Sequence, residues 1–379
     1  MRSLPAWGVA ACLVLGSACG DPRGTTGATD GPAALSPVAA GAEWPVASPA
    51  EAGLDPSRLL DLVARIRRRE YGTVDSLLVA RGGRLVVEEY FGGWSEGRAH
   101  TVQSATKSVT SLLAGLAISE GRVGIHDRVV DLFPGYEPLA NDDDRKRGIT
   151  LADLLTMRTG LDWSEATYSG SPLERLNGCG CDWLRFVLDW PMREQPGARW
   201  EYVSGGTILL GGAIGAATGE RVDRYADSRL FGPLGVRGAT WARGLPDGLP
   251  HTGGGLDLRP RDMAKLGALI VDGGRWQGRQ VVPEAWIRES TARVVHAPRY
   301  LGSHAADYGY LWWLLDLDDP MNPRPLPGDV VTAAGARGQW IFAVPRLALV
   351  VVVTSSSDDR DWARPIDFLY THVIPAVQP

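Results

Sequence analysis

Hydrophobic residues near the start of the folded region form two short runs separated by a polar turn. Within residues 76–88 the apolar runs cover residues 77–80 and 85–87, and the sequence Arg-Gly-Gly-Arg at 81–84 separates them. Two apolar runs joined by a glycine-rich turn predict a β-hairpin.

A helical stripe of apolar residues follows this hairpin. Its members recur at i, i+3, i+4 and i+7 spacing, and they are Val109, Leu112, Leu113, Leu116 and Ala117. This spacing predicts a helix with a buried face, and Gly121 is the expected end of that helix.

Helical and strand patterns then occupy separate parts of the chain. Helical patterns cover residues 127–132, 150–157, 183–188, 207–217, 260–273 and 362–370. Strand patterns cover residues 309–315, 339–344 and 347–353. Residues 141–147 are expected to form a solvated loop, and residues 161–182 an irregular stretch of the kind that lines binding sites.

Strands near both ends of the chain, with helices between them, predict an α+β fold. We expect one antiparallel sheet built from the N- and C-terminal segments and flanked by helices. A mostly helical inserted subdomain is expected at about residues 120–250, within a folded domain that spans residues 49–379.

The N-terminal residues have the pattern of an export signal. Arg2 precedes a short apolar run, which is too short to span a bilayer. Residues 1–19 end in a sequence that resembles a bacterial lipoprotein processing site, with Cys19 as the lipidated residue; simple cleavage and release into the periplasm is the alternative. Residues 20–48 are rich in Gly, Pro, Ala, Ser and Thr and are interpreted as a flexible linker. The expected location is therefore the bacterial cell envelope.

Composition and charge exclude several classes of function. The net charge is −5, and charged residues make up 22% of the chain, which leaves no basic surface for nucleic acid. The six histidines form no zinc-binding motif, so we expect no metal site and no cofactor. Cys179 and Cys181 remain in the mature chain, either as a disulfide or as two free thiols.

The strongest candidate chemistry is a serine and a lysine three residues apart at the start of the helical stripe. Residues three apart share a helix face, so the Lys107 amine can reach the Ser104 hydroxyl. A serine hydroxyl needs such a base to become a nucleophile. A helix-capping serine beside a solvated lysine is the structural alternative.

Four segments in this order resemble the serine β-lactamase-like superfamily. They are Ser104-Ala105-Thr106-Lys107-Ser108, Leu154-Leu155-Thr156-Met157-Arg158-Thr159-Gly160-Leu161, Tyr202-Val203-Ser204 and Gly335-Ala336-Arg337-Gly338-Gln339. The resemblance covers about residues 50–375. The matching branch contains class C β-lactamases, family VIII esterases, D-alanyl-D-alanine peptidases and 6-aminohexanoate-dimer hydrolases, and the Ser-x-x-Lys signature belongs to it.

The resemblance implies a role for each matching residue. Ser104 matches the nucleophile that forms an acyl-enzyme, and Lys107 matches the lysine that takes or shares its proton. Tyr202 matches the tyrosine that serves, as phenolate or hydrogen-bond relay, as base and then as leaving-group acid. Gly335 matches the glycine of the Lys-Thr-Gly element, so the backbone N–H groups of Ser104 and Ala336 are expected to form the oxyanion hole.

Two departures from the family pattern bear on the substrate. Ser204 stands where the family has an asparagine, and residues 333–335 read Ala-Ala-Gly instead of Lys-Thr-Gly. The cation that holds a substrate carboxylate is therefore missing, although Arg337 could replace it or could face outward. Esters and neutral or linear amides do not need that cation.

The acyl pocket is expected to be lined by Tyr168, Trp163 and Trp312, with Ser204, Gly335 and Arg337 as further substrate-binding residues. Glu165 and Asp162 are interpreted as loop carboxylates without a catalytic part.

These features predict an exported serine hydrolase acting on a small-molecule ester or amide, most simply a carboxylesterase or linear-amide hydrolase. The alternatives are a D-Ala-D-Ala peptidase or β-lactamase, and a non-catalytic peptidoglycan- or β-lactam-binding protein on the same fold. No nucleic-acid partner is expected, and membrane contact is expected only through the lipid anchor. The oligomeric state is left open.

Overall fold

A computed structural model of the chain describes residues 34–38, 43–244, 248–301, 304–316, 329–357 and 361–378. The predicted signal segment, Cys19 and most of the predicted linker lie outside these described residues. Among the residues that are described, no helix is both long enough and apolar enough to cross a membrane.

An eight-stranded sheet forms the centre of the fold. Strands from the N-terminal part of the chain join strands from the C-terminal part where β1 pairs with β13. The strand order is β2-β1-β13-β12-β11-β10-β9-β8. The strands are β1 (Val74–Arg81), β2 (Arg84–Tyr90), β8 (Val295–Leu301), β9 (His304–Tyr308), β10 (Trp313–Leu315), β11 (Val330–Gly335), β12 (Gln339–Val344) and β13 (Leu349–Ser355). All neighbouring pairs are antiparallel, and β1 pairs with β13 through registers such as Leu77 opposite Val353. The predicted α+β fold with a sheet from both ends of the chain is confirmed.

Five short strands form two small additional sheets. They are β3 (His100–Thr101), β4 (Thr240–Trp241) and β5 (Leu256–Leu258) in one sheet, and β6 (Arg275–Trp276) and β7 (Arg279–Gln280) in the other. The strand β3 matters for the site because the chain passes directly from it into the segment that carries Ser104.

Helices pack against the large sheet and fill the middle of the chain. They are α1 (Pro56–Arg67), α2 (Thr106–Ser119), α3 (Asp144–Arg147), α4 (Leu151–Leu155), α5 (Pro172–Gly178), α6 (Trp183–Leu188), α7 (Ser204–Thr218), α8 (Val222–Ala226), α9 (Gly232–Leu234), α10 (Pro260–Val271), α11 (Glu284–Ser290) and α12 (Arg364–Phe368). The structure describes every residue between β3 and β4, and all regular elements in this segment are helices. The exact bounds of the inserted subdomain remain a prediction.

The helices α2 and α7 form the interior of the molecule. Residues 106–117 of α2 and residues 204–214 of α7 are buried, and the two helices pack against each other. A helix that is buried on all sides needs apolar or fully hydrogen-bonded side chains around its whole circumference. The functional groups described below lie at the N-terminal ends of these two helices and are therefore held by the best-packed part of the fold.

The predicted linker is ordered over its last residues, which corrects the sequence interpretation. Trp44 is only 2% exposed, and its indole N–H donates to the carbonyl of Gly83 at 2.9 Å. Val46 forms a parallel bridge with Leu85. Burial of Trp44 and backbone hydrogen bonds between residues 45–47 and Leu85 hold a segment whose composition is otherwise that of a flexible chain.

The predicted solvated loop at residues 141–147 contains the helix α3, which also corrects the interpretation. Asp143 caps this helix by accepting from the N–H groups of Arg145 and Lys146. Lys146 is 2% exposed, and its ammonium donates to the carbonyls of Ala140 and Leu188 at 2.8 and 2.7 Å. The charge-rich sequence therefore conceals one buried lysine that ties this segment to the end of α6.

The stretch at residues 161–182 is not irregular throughout, because it contains α5 with Ser171 as its N-cap. Cys179 and Cys181 directly follow α5 and form a disulfide. The strand predicted at residues 309–315 is shorter than expected: Leu311 has a φ of +62°, so the extended backbone begins only at Trp313.

Candidate active site

Ser104 lies at the point where the sheet approaches the N-terminal end of α2. It belongs to a 3₁₀ turn at Gln103–Ala105, so the α-helix itself begins two residues later than the serine. Gly335 at the end of β11 allows the close approach: a Cβ atom there would lie 2.2 Å from the carbonyl oxygen of Val102. The glycine of this motif is thus required for packing next to Ser104, whatever its part in catalysis.

Lys107 is buried beneath the serine. Its side chain is 1% exposed, and its amine donates to the Ser104 hydroxyl at 3.1 Å and to the carbonyl of Gly253. The amine also lies 4.8 Å from the centre of the Tyr202 ring. The three groups predicted to carry the chemistry are therefore together at one place, although they come from distant parts of the chain.

Tyr202 precedes α7 and is 6% exposed. Burial raises the pKa of its phenol above the ordinary value, while a hydrogen bond with Ser104 opposes this effect. The phenol is consequently protonated in the resting protein. Of the two roles considered for this residue, the arrangement favours a hydrogen-bond relay over a resting phenolate.

A small cavity of about 50 Å³ opens beside Ser104 and Tyr202. The opposite side of this cavity is formed by residues we call the strand wall: Leu301, Trp313, Ala334, Gly335, Ala336 and Trp362. The predicted oxyanion-hole residues Ser104 and Ala336 both line the cavity. None of the described residues lining it carries a charge.

Arg337 is not part of this cavity. It is exposed at the tip of the turn between β11 and β12, with a φ of +65°, whereas the sequence suggested a strand position. Ala333, which stands at the position of the family's lysine, is fully buried. The strand wall therefore presents no cation from either position.

Two of the predicted pocket tryptophans lie in the core. Trp163 is 0% exposed and Trp312 is 1% exposed, and neither lines the cavity. Trp313 takes that place, stacked on Tyr202 with ring centres 6.0 Å apart. Successive residues of an extended chain face opposite sides, so a one-residue error in the predicted strand selects the wrong tryptophan.

Tyr168 also lies outside the cavity. It is partly buried, and its hydroxyl accepts from the Asn177 amide at 3.4 Å. Trp362, which sequence reasoning placed only in a terminal helix, instead stacks on Trp340 and reaches the cavity. No local sequence signal connects Trp362 with Ser104. Trp362 reaches the cavity because it stacks on Trp340 of β12, which the sheet places near Ser104.

Ser204 and Glu165 form a contact that the sequence did not reveal. The carboxylate of Glu165 accepts from the N–H and the hydroxyl of Ser204 at 2.6 and 2.8 Å, and from the indole of Trp163 at 2.6 Å. Burial raises the pKa of this carboxyl, and the charge of Lys107 and the three donors oppose the rise. Glu165 is a loop carboxylate, as expected, but its contacts with Ser204 join this loop to the start of α7. Its lack of a catalytic part stays a prediction. Asp162, in contrast, is exposed and pairs with Arg193.

His251 is a buried histidine that contacts the helices α5 and α6. Its Nε2 lies 3.1 Å from the Asn177 side-chain oxygen, and its ring packs edge-on against Trp183. Burial, together with the nearby Lys107 charge, lowers the pKa of His251 to about 4. This histidine is therefore neutral at physiological pH. Within the described residues, no group of three or more His, Cys, Asp or Glu side chains is arranged to hold a metal ion.

Comparison with known proteins agrees with this geometry. A family model described as beta-lactamase matches residues 66–374. The 6-aminohexanoate-dimer hydrolase of Paenarthrobacter ureafaciens is 27% identical over 348 residues, which cover 86% of this chain and 84% of that protein. An Escherichia coli (strain K12) protein, provisionally named a D-alanyl-D-alanine carboxypeptidase, is 24% identical over 54% of this chain and 52% of its own length. The chain thus spans about half the length of that second relative.

Solved structures show the same fold. EstCE1, described as a hydrolase with promiscuous acyltransferase activity, superposes with a TM-score of 0.68 at 18% identity, covering 83% of this chain and 99% of that one. Since the family match spans most of its length, the chain belongs to the beta-lactamase family of serine hydrolases.

Proposed function

We propose that this protein is an exported serine hydrolase that cleaves ester or linear amide bonds through an acyl-enzyme on Ser104. The observation that carries the proposal is the 3.1 Å contact between the buried Lys107 amine and the Ser104 hydroxyl, beside Tyr202. A serine next to a buried amine has the base that a hydroxyl nucleophile requires.

In the proposed acylation step, the Ser104 oxygen attacks the substrate carbonyl carbon and its proton passes to neutral Lys107. The backbone N–H groups of Ser104 and Ala336 stabilise the oxyanion that forms. Tyr202 then relays the proton to the leaving oxygen or nitrogen as the bond to it breaks. Water reverses these proton transfers in deacylation and releases the acid, which regenerates the Ser104 hydroxyl.

The uncharged strand wall supports the choice of substrate. A β-lactam or a peptide ending in D-alanine carries a carboxylate, and a cation beside the cleft would normally compensate it. Neither Ala333 nor Arg337 supplies that charge at the cavity. An ester or a neutral amide places only apolar groups and one carbonyl there, which the wall accommodates.

The named relatives support a serine hydrolase without distinguishing ester from amide. The Paenarthrobacter relative is named for hydrolysis of a linear amide dimer, and EstCE1 is described as a hydrolase with acyltransferase activity. Both names are compatible with an acyl-enzyme on a serine. Because an aminohexanoate dimer ends in a carboxylate, the first name does not bear on the preference for uncharged substrates.

The proposal is tested by a rate panel on the purified mature chain. Short p-nitrophenyl esters, a linear aminohexanoate dimer, nitrocefin and a D-alanyl-D-alanine peptide are each assayed with the wild type and with Ser104→Ala. We expect the short esters to be hydrolysed fastest, with Ser104-dependent turnover. Nitrocefin turnover above ester turnover would contradict the substrate assignment, and ester turnover that persists in Ser104→Ala would contradict the mechanism.

A non-catalytic binding protein on this fold is the second candidate, because the Lys-Thr-Gly element reads Ala-Ala-Gly. A fluorophosphonate probe separates the two candidates. Labelling of Ser104 together with steady ester turnover supports the hydrolase, while labelling without turnover of any substrate in the panel supports the binding protein.

Export through a lipid anchor at Cys19 is part of the proposal and concerns residues outside those the structure describes. Metabolic labelling with a fatty-acid analogue in a bacterial host should mark the wild type and leave Cys19→Ala unmarked. A soluble, unlabelled wild-type protein in the periplasm would support simple cleavage instead.

A further inference from the structure

Trp362 reaches the cavity from the segment between β13 and α12. Its ring is half-buried and stacks on Trp340, with ring centres 5.3 Å apart and an angle of 14° between the planes. The indole N–H of Trp340 also donates to the carbonyl of Trp362 at 2.9 Å. Because Trp340 is 0% exposed, these two contacts hold the Trp362 ring against a fixed support at the edge of the cavity.

The sheet places Trp313 and Trp340 on opposite sides of β11. The strand order puts β11 between β10, which carries Trp313, and β12, which carries Trp340. Trp313 pairs with Thr332, and Trp340 pairs with Ala334. Residues two apart on a strand face the same side, so both rings lie on the face of the sheet that lines the cavity. Trp362, which stacks on Trp340, therefore extends the β12 side of the strand wall.

This arrangement assigns the two sides of β11 to different parts of the substrate. Trp313 stacks on Tyr202, the residue that relays the proton to the leaving group in the proposed mechanism. The leaving group therefore lies on the Trp313 side. The substrate carbonyl carbon carries one other substituent, the acyl chain, and this chain leads away from Tyr202. On the β12 side of β11, the wall that it meets is Trp362.

The space available for that chain is small. A water-sized group needs about 10–15 Å³ of such volume, so the cavity of about 50 Å³ holds roughly four non-hydrogen atoms. A longer chain has to displace the Trp362 ring from its stack on Trp340, which costs part of the substrate's binding free energy.

We infer that Trp362 is a specificity-determining residue that limits the length of the acyl group, so that the protein acts on esters and amides of acids with about four carbons or fewer. This inference rests on the proposed hydrolase function and deepens it by naming the acyl group.

Trp362→Ala is the decisive variant, because it removes the ring and keeps the backbone carbonyl that accepts from Trp340. Trp362→Phe keeps a smaller ring that can still stack on Trp340. Trp276→Ala is the matched control: Trp276 is also half-buried and packs against another tryptophan, Trp44, at 5.0 Å, but it does not line the cavity beside Ser104.

The experiment measures kcat/KM for p-nitrophenyl acetate, butyrate and hexanoate with each variant, together with its Tm. In the wild type, we expect the rate constant to fall beyond butyrate. The ratio of hexanoate to acetate should rise about tenfold or more in Trp362→Ala, because one methylene in a hydrophobic pocket changes specificity by about 10- to 200-fold. The rise should be smaller in Trp362→Phe, and Trp276→Ala should keep the wild-type ratio.

A second series keeps the acyl group and changes the leaving group. The ratio of kcat/KM for 2-naphthyl acetate to that for phenyl acetate should be the same in Trp362→Ala as in the wild type, since the leaving group lies on the Trp313 side of β11.

An unchanged hexanoate-to-acetate ratio in folded Trp362→Ala would overturn the inference. An equal rise in Trp276→Ala, or a change confined to the leaving-group series, would overturn it as well. If Trp362→Ala does not fold, an unchanged ratio in Trp362→Phe is the contradicting result. Wild-type hydrolysis of hexanoate that exceeds that of acetate would refute the inference alone, whereas absence of Ser104-dependent acetate hydrolysis would refute the proposed function.

Discussion

The two sides of the cleft are built on different principles. We call the group Ser104, Lys107, Tyr202 and Ser204 the helical wall, because its residues lie at the starts of α2 and α7. Ser104 and Tyr202 line the cavity, and the buried Lys107 and Ser204 lie behind them, so Ser204 is not among the residues that line it. This wall is polar, and its groups hydrogen-bond to one another or to Glu165 and Gly253. The strand wall is apolar and contributes aromatic rings and backbone.

This difference separates the chemistry of the protein from its recognition of substrate. The helical wall keeps the serine, lysine and tyrosine that the family pattern contains, whereas the strand wall has lost the family's lysine. Under the proposed function, the reactive groups serve every substrate, and the absence of a carboxylate-binding cation favours substrates without a carboxylate. Substitutions on the helical wall should therefore affect every substrate, and side-chain substitutions on the strand wall should affect only some.

The largest effect is expected from Lys107→Ala. Removing the base leaves the Ser104 hydroxyl without a proton acceptor, so kcat/KM for every substrate in the panel should fall by about 10⁴-fold. Steady-state kinetics with the purified variant measures this loss. A loss confined to one substrate class would contradict the assignment of the common chemistry to the helical wall.

A smaller, but still general, effect is expected from Ala336→Pro on the strand wall. Proline has no backbone N–H, so this variant removes one proposed oxyanion donor, and kcat should fall by about 10²-fold. Ala336→Gly keeps the N–H and serves as the control, with kcat within a few-fold of the wild type. Equal losses of kcat in both variants would show that the conformation of the turn, and not the N–H group of residue 336, determines the rate.

His251→Gln tests how the burial of this histidine affects the free energy of unfolding at different pH values. Because the pKa of His251 is lowered to about 4 in the folded protein, the unfolded chain binds more protons between pH 6.5 and pH 4. Stability is therefore lost as the pH falls through that window, and His251 should account for about 3 kcal/mol of the loss. Urea unfolding at pH 7 and pH 4 should show a flatter dependence for the variant than for the wild type.

Parallel pH dependence in the wild type and His251→Gln would mean that this histidine is protonated within the fold, and that its burial beside Lys107 does not keep it neutral.

The smallest effect is expected from Arg337→Ala. The side chain is exposed at the tip of a turn and lies outside the cavity, so ester rates should stay within about twofold of the wild type. The same assays with a substrate that carries a carboxylate extend the test. A selective loss for that substrate would assign Arg337 the function of the missing lysine and would sharpen the description of the strand wall.

The sequence predicts contacts between residues that are close along the chain better than contacts between distant residues. Ser104 and Lys107 are three residues apart, so helical geometry alone brings them together, and Tyr202 followed from the resemblance to a family. The contact between Glu165 and Ser204 had no such signal, because it joins a loop to a helix start far along the chain.

Two errors came from local patterns that tertiary packing overrides. Trp312 and Trp313 are equally apolar, and only the starting point of β10 decides which ring faces the cavity. The composition of residues 20–48 is that of a flexible chain, yet Trp44 docks beside the β-hairpin. In both cases contacts with distant parts of the chain decide the outcome, and averages over a window of sequence cannot detect them.

The most direct test of the central claim is intact-protein mass spectrometry after rapid mixing with a slowly deacylating ester. The account predicts a single added acyl mass on the wild type, located at Ser104 by peptide mapping, and no adduct on Ser104→Ala. An adduct on another residue, or turnover of the ester without Ser104, would contradict the claim that this serine is the nucleophile of the protein.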